Sequence, residues 1–443
     1  MMSRPDGPSD DPLSPRTQAT LAREAQRALG TCSAERRTAV LSKLAQLIDE
    51  RRGQLLAANA QDLEAAAAEG LAMPLQKRLG LSESKLDGLR AGVLQLAETQ
   101  DPLGTVLRRT ELDEGLQLRQ VRSPLGVLLV IFESRPDAVI QIGSLALRSG
   151  NAVLLKGGRE ALHSNRALVD CLRDALSSEG LLPDAVCCVE GRQAATALLD
   201  EDALIDLVIP RGSSELVRSI QSSTRIPVLG HAEGVCHLYL DAAANSQMAA
   251  HIAVDGKCDY PAACNATETL LVHEAFLPQL PPVIEALTSH GVEVRVCPRT
   301  AAVIDDCQPT TDDDWRTEYG DLVLSVKTVT DAQEAIDHIH AHGSGHTDVI
   351  VTDDQLAADN FLDQVDSASV FHNASSRFAD GFRFGLGAEV GISTSRIHAR
   401  GPVGIDGLLT TRWLLRGSGQ GAGDYGDAGR SFTHRHLSPD TEP

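Results

Sequence analysis

The run GVLLVIF at residues 126–132 is apolar at every position. A strand with one face in water alternates apolar and polar residues. An unbroken run therefore predicts a strand buried on both faces, as in a parallel sheet covered by helices. Pro136 and Gly150 then stand where a following helix would begin and end, the usual positions of these two residues. The sequence thus predicts a strand that leads directly into a helix.

The same unit repeats further along the chain. Apolar segments at 152–155, 185–189 and 205–209 predict three more strands, and helices are predicted at about 160–176 and from about Glu215. This alternation is typical of an α/β fold with a doubly wound parallel sheet, which binds ligands in a crevice at the carboxyl ends of its strands.

A second α/β unit is predicted after a boundary near residue 254. Its predicted strands are residues 292–296, 322–326 and 349–351. Between the first helices and the first unit, Glu114-Gly115 lies inside a partly alternating segment and predicts a hairpin at 112–122. Both chain ends are polar or glycine-rich, and disordered tails are predicted at 1–16 and 416–443.

Two loops have the composition of anion-binding turns. KGGR at 156–159 and RGSS at 211–214 each follow a predicted strand and precede a predicted helix, and so offer backbone N–H groups beside cationic side chains. Neither matches the Gly-x-Gly-x-x-Gly or the Walker pattern. Taken alone, these residues are equally compatible with two tight turns whose charges are solvated.

One of the nine cysteines stands out. Cys264 lies in the small-residue loop PAACN at 261–265, directly before a predicted buried strand at 268–273. A free cysteine is most often a small buried hydrophobe, but a loop of this kind leaves a thiol open to a substrate. The position suits a thiolate nucleophile if a neighbouring group lowers the pKa of the thiol.

Charge and composition exclude several classes of function. The net charge of −21 argues against a nucleic-acid-binding or anionic-membrane surface, and an anionic ligand must be met by local cations. No apolar run is long enough to predict a membrane span. Cysteines without a paired framework, and an N-terminus without a secretory pattern, predict a cytoplasmic protein. No metal is predicted, because His338, His340 and His342 fall on different faces of a helix end.

Five longer motifs resemble a known family. They are PLGV at 124–127 with FESRP at 132–136, DYPAACN at 259–265, NASSRF at 373–378, FGLGAE at 384–389 and HARGP at 398–402. In this order they closely resemble the γ-glutamyl phosphate reductase (glutamate-5-semialdehyde dehydrogenase) family of the aldehyde dehydrogenase superfamily. The resemblance runs from about residue 18 to 415.

The resemblance implies an acyl-enzyme mechanism. Cys264 would attack the γ-carbonyl of L-γ-glutamyl 5-phosphate, phosphate would leave, and NADPH would reduce the thioester to L-glutamate 5-semialdehyde, the second step of proline biosynthesis from glutamate. It also implies Asn265 and Arg135 as catalytic residues. An arginine at position 135 replaces an oxyanion-stabilising asparagine of hydrolytic relatives, and would hold the phosphate or the developing oxyanion.

Cofactor and substrate residues follow from the same resemblance. The implied NADP-binding residues are Lys156, Gly157, Arg159, Gly212, Ser213 and Glu318. The cation Arg159 replaces a glutamate of NAD-preferring members and would favour a 2′-phosphate. The implied substrate-binding residues are Asn373, Ser375 and Arg377, the last as a bidentate partner of the α-carboxylate or, alternatively, as a structural arginine.

The resemblance further implies an aldehyde dehydrogenase-like architecture, with two doubly wound α/β domains and a small β oligomerisation element. The cofactor-binding domain would span 17–254 with the hairpin 112–122 in the oligomerisation element. The catalytic domain would span 255–395, and 396–415 would return to the cofactor domain and the oligomerisation strands. A homo-oligomer is implied, and functional coupling to a glutamate 5-kinase is plausible because acyl phosphates are labile.

Two other readings remain open at this point. The first is an acylating or hydrolytic aldehyde dehydrogenase with another substrate, which Glu233 within reach of Cys264 would favour. An ungapped comparison places Gly230 where hydrolytic relatives have their catalytic base, and Glu233 follows three residues later. The second is a non-catalytic oligomeric scaffold on the same fold.

Overall fold

The structure, a computed structural model, describes residues 13–230, 233–305, 307–426 and 429–439. Its helices are α1 (Pro15–Thr31), α2 (Ala34–Glu50), α3 (Arg52–Ala68), α4 (Met73–Leu79), α5 (Glu83–Glu98), α6 (Asp137–Arg148), α7 (Leu162–Ser178), α8 (Arg192–Leu198), α9 (Ser214–Ser223), α10 (Ser246–Cys258), α11 (Pro281–Ser289), α12 (Ala332–His342) and α13 (Gln355–Gln364). None of these helices is both long enough and apolar enough to cross a membrane.

The strands fall into three larger sheets and one pair. They are β1 (Val106–Asp113), β2 (Leu116–Pro124), β3 (Val127–Phe132), β4 (Ala152–Lys156), β5 (Val186–Cys188), β6 (Leu207–Arg211), β7 (Cys236–Leu240), β8 (Thr267–His273), β9 (Glu293–Val296), β10 (Gln308–Pro309), β11 (Val323–Val329), β12 (Thr347–Val351), β13 (Ser369–His372), β14 (Gly391–Ser393), β15 (Gly401–Val403), β16 (Leu409–Arg416) and β17 (Arg435–Leu437).

The first sheet confirms the strand–helix repetition predicted from the apolar runs. Its four parallel strands have the order β5-β4-β3-β6, and every residue of β3 is buried. The helix after β3 ends at Arg148, and Gly150 follows with a φ of 72°, a conformation that glycine adopts without strain. The strand order reverses between β3 and β6, so the loops after these two strands border the crevice expected to bind ligands.

The second sheet has seven parallel strands in the order β10-β9-β11-β8-β7-β12-β13. It shows that the predicted boundary near residue 254 is wrong. β7 lies in the middle of this sheet, and Leu238 and Ile252 are in its apolar core, so the second domain begins before β7. The predicted return at 396 is also too late, because Val390 already packs in the core of the first domain.

The third sheet is antiparallel, with the order β16-β2-β1-β17. Its centre confirms the predicted hairpin, with the turn at Glu114-Gly115 and longer strands than expected. The prediction of a disordered tail at 416–443 is wrong for β17, which pairs with the outer edge of β1. Ion pairs from Arg430 to Asp113 and from Arg435 to Glu111 hold this returning segment. The prediction missed it because polar residues whose partners are far away in the chain leave no periodic signal in the sequence. At the other end, α1 begins at Pro15 inside the predicted tail, most of which lies outside the described residues.

A buried ion pair closes the loop that carries Cys264. Lys257, in the last turn of α10, places its Nζ 2.6 Å from Oε2 of Glu268 at the start of β8, and both side chains are fully buried. The backbone N–H of Gly320 approaches the other carboxylate oxygen of Glu268 at 3.5 Å. Burial raises the pKa of Glu268 to about 7, although the ammonium of Lys257 opposes this rise. The pair therefore connects both ends of the cysteine loop with the loop that precedes β11.

We expect Lys257→Met to destabilise the protein in a pH-dependent way. The variant leaves the buried Glu268 carboxylate without its cation, and the free energy of unfolding should fall by about 3–5 kcal/mol at pH 8. The pKa of Glu268 is higher in the fold than its ordinary value of 4.5. The native state therefore binds the additional proton, and the stability that this carboxyl contributes is lost as the pH rises through about 7. The loss in the variant should accordingly be smaller at pH 5.5, where Glu268 is neutral.

Urea unfolding of the wild type and the variant at both pH values measures this difference. The double variant Lys257→Met with Glu268→Gln is the control and should recover stability at pH 8. If the variant lost the same unfolding free energy at pH 5.5 and at pH 8, the raised pKa of Glu268 would be contradicted.

Candidate active site

A cavity of about 530 Å³ lies where the loops after β3 and β6 meet the cysteine loop of the second domain. The residues predicted for catalysis or binding that line it are Arg135, Gly212, Ser213, Cys264, Asn265, Glu318 and Arg377. Their positions in the sequence are far apart, and the strand ends of two sheets bring them together. The crevice at the switch between β3 and β6 is thus one wall of a site that the second domain completes.

Gly234 determines the position of the cysteine loop. A Cβ atom at residue 234 would lie 2.1 Å from the carbonyl oxygen of Cys264 and 2.6 Å from its Cα, so only glycine allows this approach. The thiol of Cys236 also donates to that carbonyl at 3.3 Å. From the other side, the backbone N–H of Gly234 donates to Oε2 of Glu318 at 2.9 Å. One glycine therefore places Cys264 and Glu318 at the same cavity.

The Cys264 thiol is neutral in this environment. Burial, and to a smaller extent Glu318 and Glu389, raise its pKa to about 12, although the guanidinium of Arg211 opposes the rise. The sequence suggested a neighbour that lowers the pKa of this thiol. The structure supplies that neighbour in Arg211, but burial outweighs its effect.

Arg135 is presented by a strained turn. The preceding residue, Ser134, has a φ of 41°, a conformation that costs a non-glycine residue free energy unless its surroundings impose it. Its backbone N–H and its hydroxyl both donate to Oε1 of Glu160, at 2.8 and 2.6 Å. Burial would raise the pKa of Glu160, but these hydrogen bonds keep it below its usual value. The turn that aims Arg135 is thus anchored on the residue directly after the KGGR loop.

A second cavity of about 660 Å³ holds the other predicted cofactor residues, Lys156, Gly157 and Arg159. A Cβ atom on Gly157 would lie 2.1 Å from Nδ2 of Asn165, so a side chain at this position would collide with the cavity wall. Arg159 is exposed and forms an ion pair at 2.7 Å with Glu69, which is also exposed. Glu133 and Ser134 line both cavities, so the two cavities are adjacent.

The remaining cofactor residues lie at the start of α9. Gly212 and Ser213 line the first cavity, and the Ser213 hydroxyl accepts a hydrogen bond from the Leu216 N–H at 3.4 Å, which caps the helix. A Cβ atom on Gly212 would lie 2.8 Å from Oε2 of Glu133. In both predicted anion-binding loops, therefore, a glycine lies so close to neighbouring side chains that a larger residue would displace them.

Asn265 holds the loop rather than offering donors to the cavity. Its amide nitrogen donates to the carbonyl oxygens of Ala379, at 3.0 Å, and of Arg377, at 3.5 Å. The side chain expected to stabilise an oxyanion is therefore engaged in joining the cysteine loop to the turn at 376–379. The backbone N–H of Cys264 remains the donor of this loop nearest to the thiol.

Two of the three predicted substrate residues have structural contacts instead. Asn373, with a φ of 54°, bonds both the N–H and the carbonyl oxygen of Thr352, at 3.0 and 2.9 Å. Ser375 is buried, and its hydroxyl accepts from the Arg377 N–H at 3.3 Å. Neither residue lines the cavity. Arg377 does, and its Nε donates to Oδ2 of Asp259 at 3.2 Å.

Three residues of the cavity were not singled out from the sequence. Arg211 belongs to the RGSS loop, where only its neighbours were assigned a role. Glu389 is in the FGLGAE motif, and Asp380 lies two residues after the end of NASSRF. Each stands beside a segment that the sequence analysis had noticed, but only the fold shows that its side chain faces Cys264.

Glu233, the candidate base for hydrolysis, is ion-paired with Arg218 and is not among the described residues that line the cavity. Within the described parts of the chain, no three His, Cys, Asp or Glu side chains converge on a point that could hold a metal ion.

Comparisons with known proteins agree with this arrangement. Residues 16–299 match the model of the aldehyde dehydrogenase family. A γ-glutamyl phosphate reductase of Acaryochloris marina is 51% identical over 417 residues, which cover 94% of this chain and 96% of the relative. The crystal structure of γ-glutamyl phosphate reductase from Thermotoga maritima superposes with a TM-score of 0.89 at 38% identity, over 91% of this chain and 99% of that one.

A more distant likeness concerns the fold alone. Glyceraldehyde-3-phosphate dehydrogenase GapN of Methanocaldococcus jannaschii, solved in complex with NADP, has a TM-score of 0.65 at 14% identity. That match covers 92% of this chain and 96% of the other. The aldehyde dehydrogenase-like fold predicted from the motifs is therefore confirmed.

We expect the rate at which iodoacetamide alkylates Cys264 to rise about tenfold for each pH unit between pH 7.5 and 9.5. Only the thiolate reacts, and a thiol with a pKa of about 12 is still almost entirely protonated in this range, so its thiolate fraction keeps rising with pH. Mass spectrometry of the peptide that contains Cys264 measures the rate. N-acetylcysteine serves as the control, since its rate levels off near its ordinary pKa. A plateau for Cys264 below pH 9 would contradict the effect of burial.

Proposed function

The chain belongs to the aldehyde dehydrogenase family, and we propose that it reduces L-γ-glutamyl 5-phosphate to L-glutamate 5-semialdehyde with release of phosphate. Relatives that share about half of their residues with it over 94% of the chain are named γ-glutamyl phosphate reductases. It is an oxidoreductase of proline biosynthesis that acts on a small molecule. The observation that supports this reaction best is the Cys264 thiol in a cavity that also presents Arg135 and Arg377 to an anionic substrate.

The acyl transfer uses the chain's own groups. The Cys264 thiol gives up its proton as its sulfur attacks the γ-carbonyl carbon. A sulfur–carbon bond forms, the bond from that carbon to the phosphate oxygen breaks, and the proton is taken up by the released phosphate. Phosphate leaves with the electron pair, and a glutamyl thioester remains on Cys264. The backbone N–H of Cys264 and the Arg135 guanidinium are the donors that stabilise the developing oxyanion. Phosphate is a good leaving group, so this step needs no strong general acid.

The two adjacent cavities fit a phosphorylated nicotinamide cofactor. Gly157 and Gly212 line them where a side chain would collide with the wall, and Glu318 faces the cavity of Cys264. Bound there, NADPH supplies the hydride that reduces the thioester. Lys156 and Arg159 would hold the adenosine half, and Arg159 would pair with the 2′-phosphate. Glu318 would hold the ribose next to the nicotinamide.

The amino-acid end of the substrate requires one cation and one carboxylate. Arg377 donates through Nε to Asp259, which leaves its terminal nitrogens for an α-carboxylate. Asp380 lines the same cavity, and among the described residues its carboxylate accepts hydrogen bonds from the backbone N–H groups of Phe382 and Arg383 alone, at 3.0 and 3.1 Å. Its carboxylate suits the α-ammonium group. Arg377 thus stays in our assignment, and Asp380 takes the place of Asn373 and Ser375.

Assembly and location remain part of the proposal. We propose a homo-oligomer formed through the antiparallel sheet, whose edge strand β16 exposes the apolar side chains of Trp413 and Leu415. A cytoplasmic location is supported by the nine cysteines, none of which is in a disulfide. Because the acyl phosphate is labile, a glutamate 5-kinase is the proposed functional neighbour.

We expect the wild type to reduce NADP⁺ with glutamate semialdehyde only when inorganic phosphate is present, and Cys264→Ala to lose this turnover while it still binds NADPH. The reason is that the thiol carries the acyl group but does not hold the cofactor. Absorbance at the NADPH band measures turnover, and quenching of cofactor fluorescence measures binding. Wild-type turnover without phosphate would favour the hydrolytic alternative, and no turnover under any condition would favour the scaffold. Turnover in Cys264→Ala would remove the nucleophile from our mechanism.

We expect Arg159→Glu to lower the preference for NADPH over NADH by about tenfold or more, because a carboxylate would repel the 2′-phosphate that the guanidinium attracts. The ratio of kcat/KM for the two cofactors measures the preference. Glu69→Gln is the matched control: it removes the partner of Arg159 and should leave the preference intact. An unchanged ratio in Arg159→Glu would place that residue outside the cofactor site.

A further inference from the structure

Four arginines line the cavity of Cys264, and two of them have no hydrogen-bond acceptor among the described residues. Arg377 donates to Asp259, and Arg78 donates to the Tyr260 hydroxyl at 3.4 Å. The guanidinium groups of Arg135 and Arg211 form neither a hydrogen bond nor an ion pair with any side chain that the structure describes. In a chain with a net charge of −21, two such cations beside one thiol are unexpected unless a ligand accepts their hydrogen bonds and balances their charge.

Arg211 is fixed in place without the use of its N–H groups. It is the last residue of β6, a strand whose other residues are all buried, so its backbone is held by the sheet. Its side chain packs on Gly391, where a Cβ atom would lie 3.1 Å from Nη1 and 3.3 Å from Cδ. The glycine leaves room for the guanidinium, and the packing restricts its rotation. The donors of Arg211 are therefore both oriented and available.

Glu389 balances the charge of Arg211 without binding it directly. Its Oε2 accepts the Gly381 N–H at 2.9 Å, which ties the carboxylate to the neighbouring turn. The two side chains interact electrostatically: burial lowers the pKa of Arg211 and Glu389 opposes that change. An isolated cation in a cavity wall is costly, and a carboxylate held nearby reduces this cost while leaving the N–H groups of the arginine unused.

We propose that Arg211 is a catalytic residue that, with Arg135, binds the phosphate group of the substrate and retains it as it leaves. This inference rests on the proposed function. In the step, the Cys264 sulfur loses its proton and forms its bond to the acyl carbon, the bond between that carbon and the phosphate oxygen breaks, and the released phosphate takes the electron pair and the proton. Its two or more negative oxygens then meet two guanidinium groups, whose planar donors suit such an anion.

From the same position, Arg211 also stabilises the deprotonated form of the Cys264 thiol. Its charge favours the thiolate of Cys264, and the nucleophile and the leaving group are attached to the same carbonyl carbon, so one cation lies near both. This explains why an arginine stands in the cysteine cavity although neither the nicotinamide ring nor the ribose attached to it carries a negative group to attract it. The phosphate site thus lies at the loop after β6 as well as at the loop after β3.

The test uses the reverse reaction, in which inorganic phosphate is a substrate. We expect Arg211→Gln to raise the KM for phosphate about ten- to a hundredfold, with the KM for NADP⁺ changed less than threefold, as expected for the loss of a charged hydrogen bond. Arg225→Gln is the matched control, since it removes the same charge from the exposed segment after α9 and should change neither constant. An unchanged KM for phosphate, or an equal rise in the KM for NADP⁺, would overturn the assignment.

A second measurement does not depend on turnover. Inorganic phosphate should slow the alkylation of Cys264 by iodoacetamide in the wild type and in Arg225→Gln, but not in Arg211→Gln. If Arg211→Gln does not fold, Arg211→Lys is examined in the same way, because lysine keeps the charge but not the planar pair of donors. The proposal would be overturned if phosphate protected Cys264 from alkylation in either Arg211 variant at the concentration that protects it in the wild type. A wild type without phosphate-dependent turnover would instead refute the proposed function, so the two failures are distinguishable.

Discussion

The contact between Gly234 and Cys264 is the constraint on which the site depends. The two backbones approach so closely that no side chain fits at position 234, and the N–H of the same glycine holds Glu318. The buried pair of Lys257 and Glu268 closes the loop behind this contact. Cys264 and Glu318, the proposed nucleophile and the proposed cofactor ligand, therefore belong to one packed unit at the edge of the second sheet. The first domain only has to bring its two loops against that unit.

Electrostatics then determine what the site binds. The whole chain repels anions, yet the cavity presents arginines from three separate segments, at Arg135, Arg211 and Arg377. Burial keeps the Cys264 thiol neutral until a reaction partner is present, which protects it from unwanted chemistry. Local cations in an acidic protein thus provide selectivity for a substrate with two anionic ends.

Whether a predicted site residue lines a cavity depends on the kind of sequence signal that pointed to it. Lys156 ends a strand and Cys264 and Glu318 lie in loops that precede strands, and all three line the cavities because the order of the strands brings these segments together. Asn373 and Ser375 lie in an equally specific motif, but their side chains satisfy nearby backbone groups. A polar residue next to a turn can bond the backbone or a ligand, and the sequence alone does not distinguish these two uses.

The amino-acid sequence by itself determined the parallel α/β class, the strands of the first sheet and the hairpin, because apolar runs and turn glycines are local signals. Only the tertiary structure decided that β7 belongs to the second domain, that β17 returns to the edge of β1, and that Arg211, Asp380 and Glu389 face Cys264. These features depend on contacts between residues far apart in the chain. Such contacts are determined by packing and by the pairing of charges across domains, which leave no periodic trace in either partner's own segment.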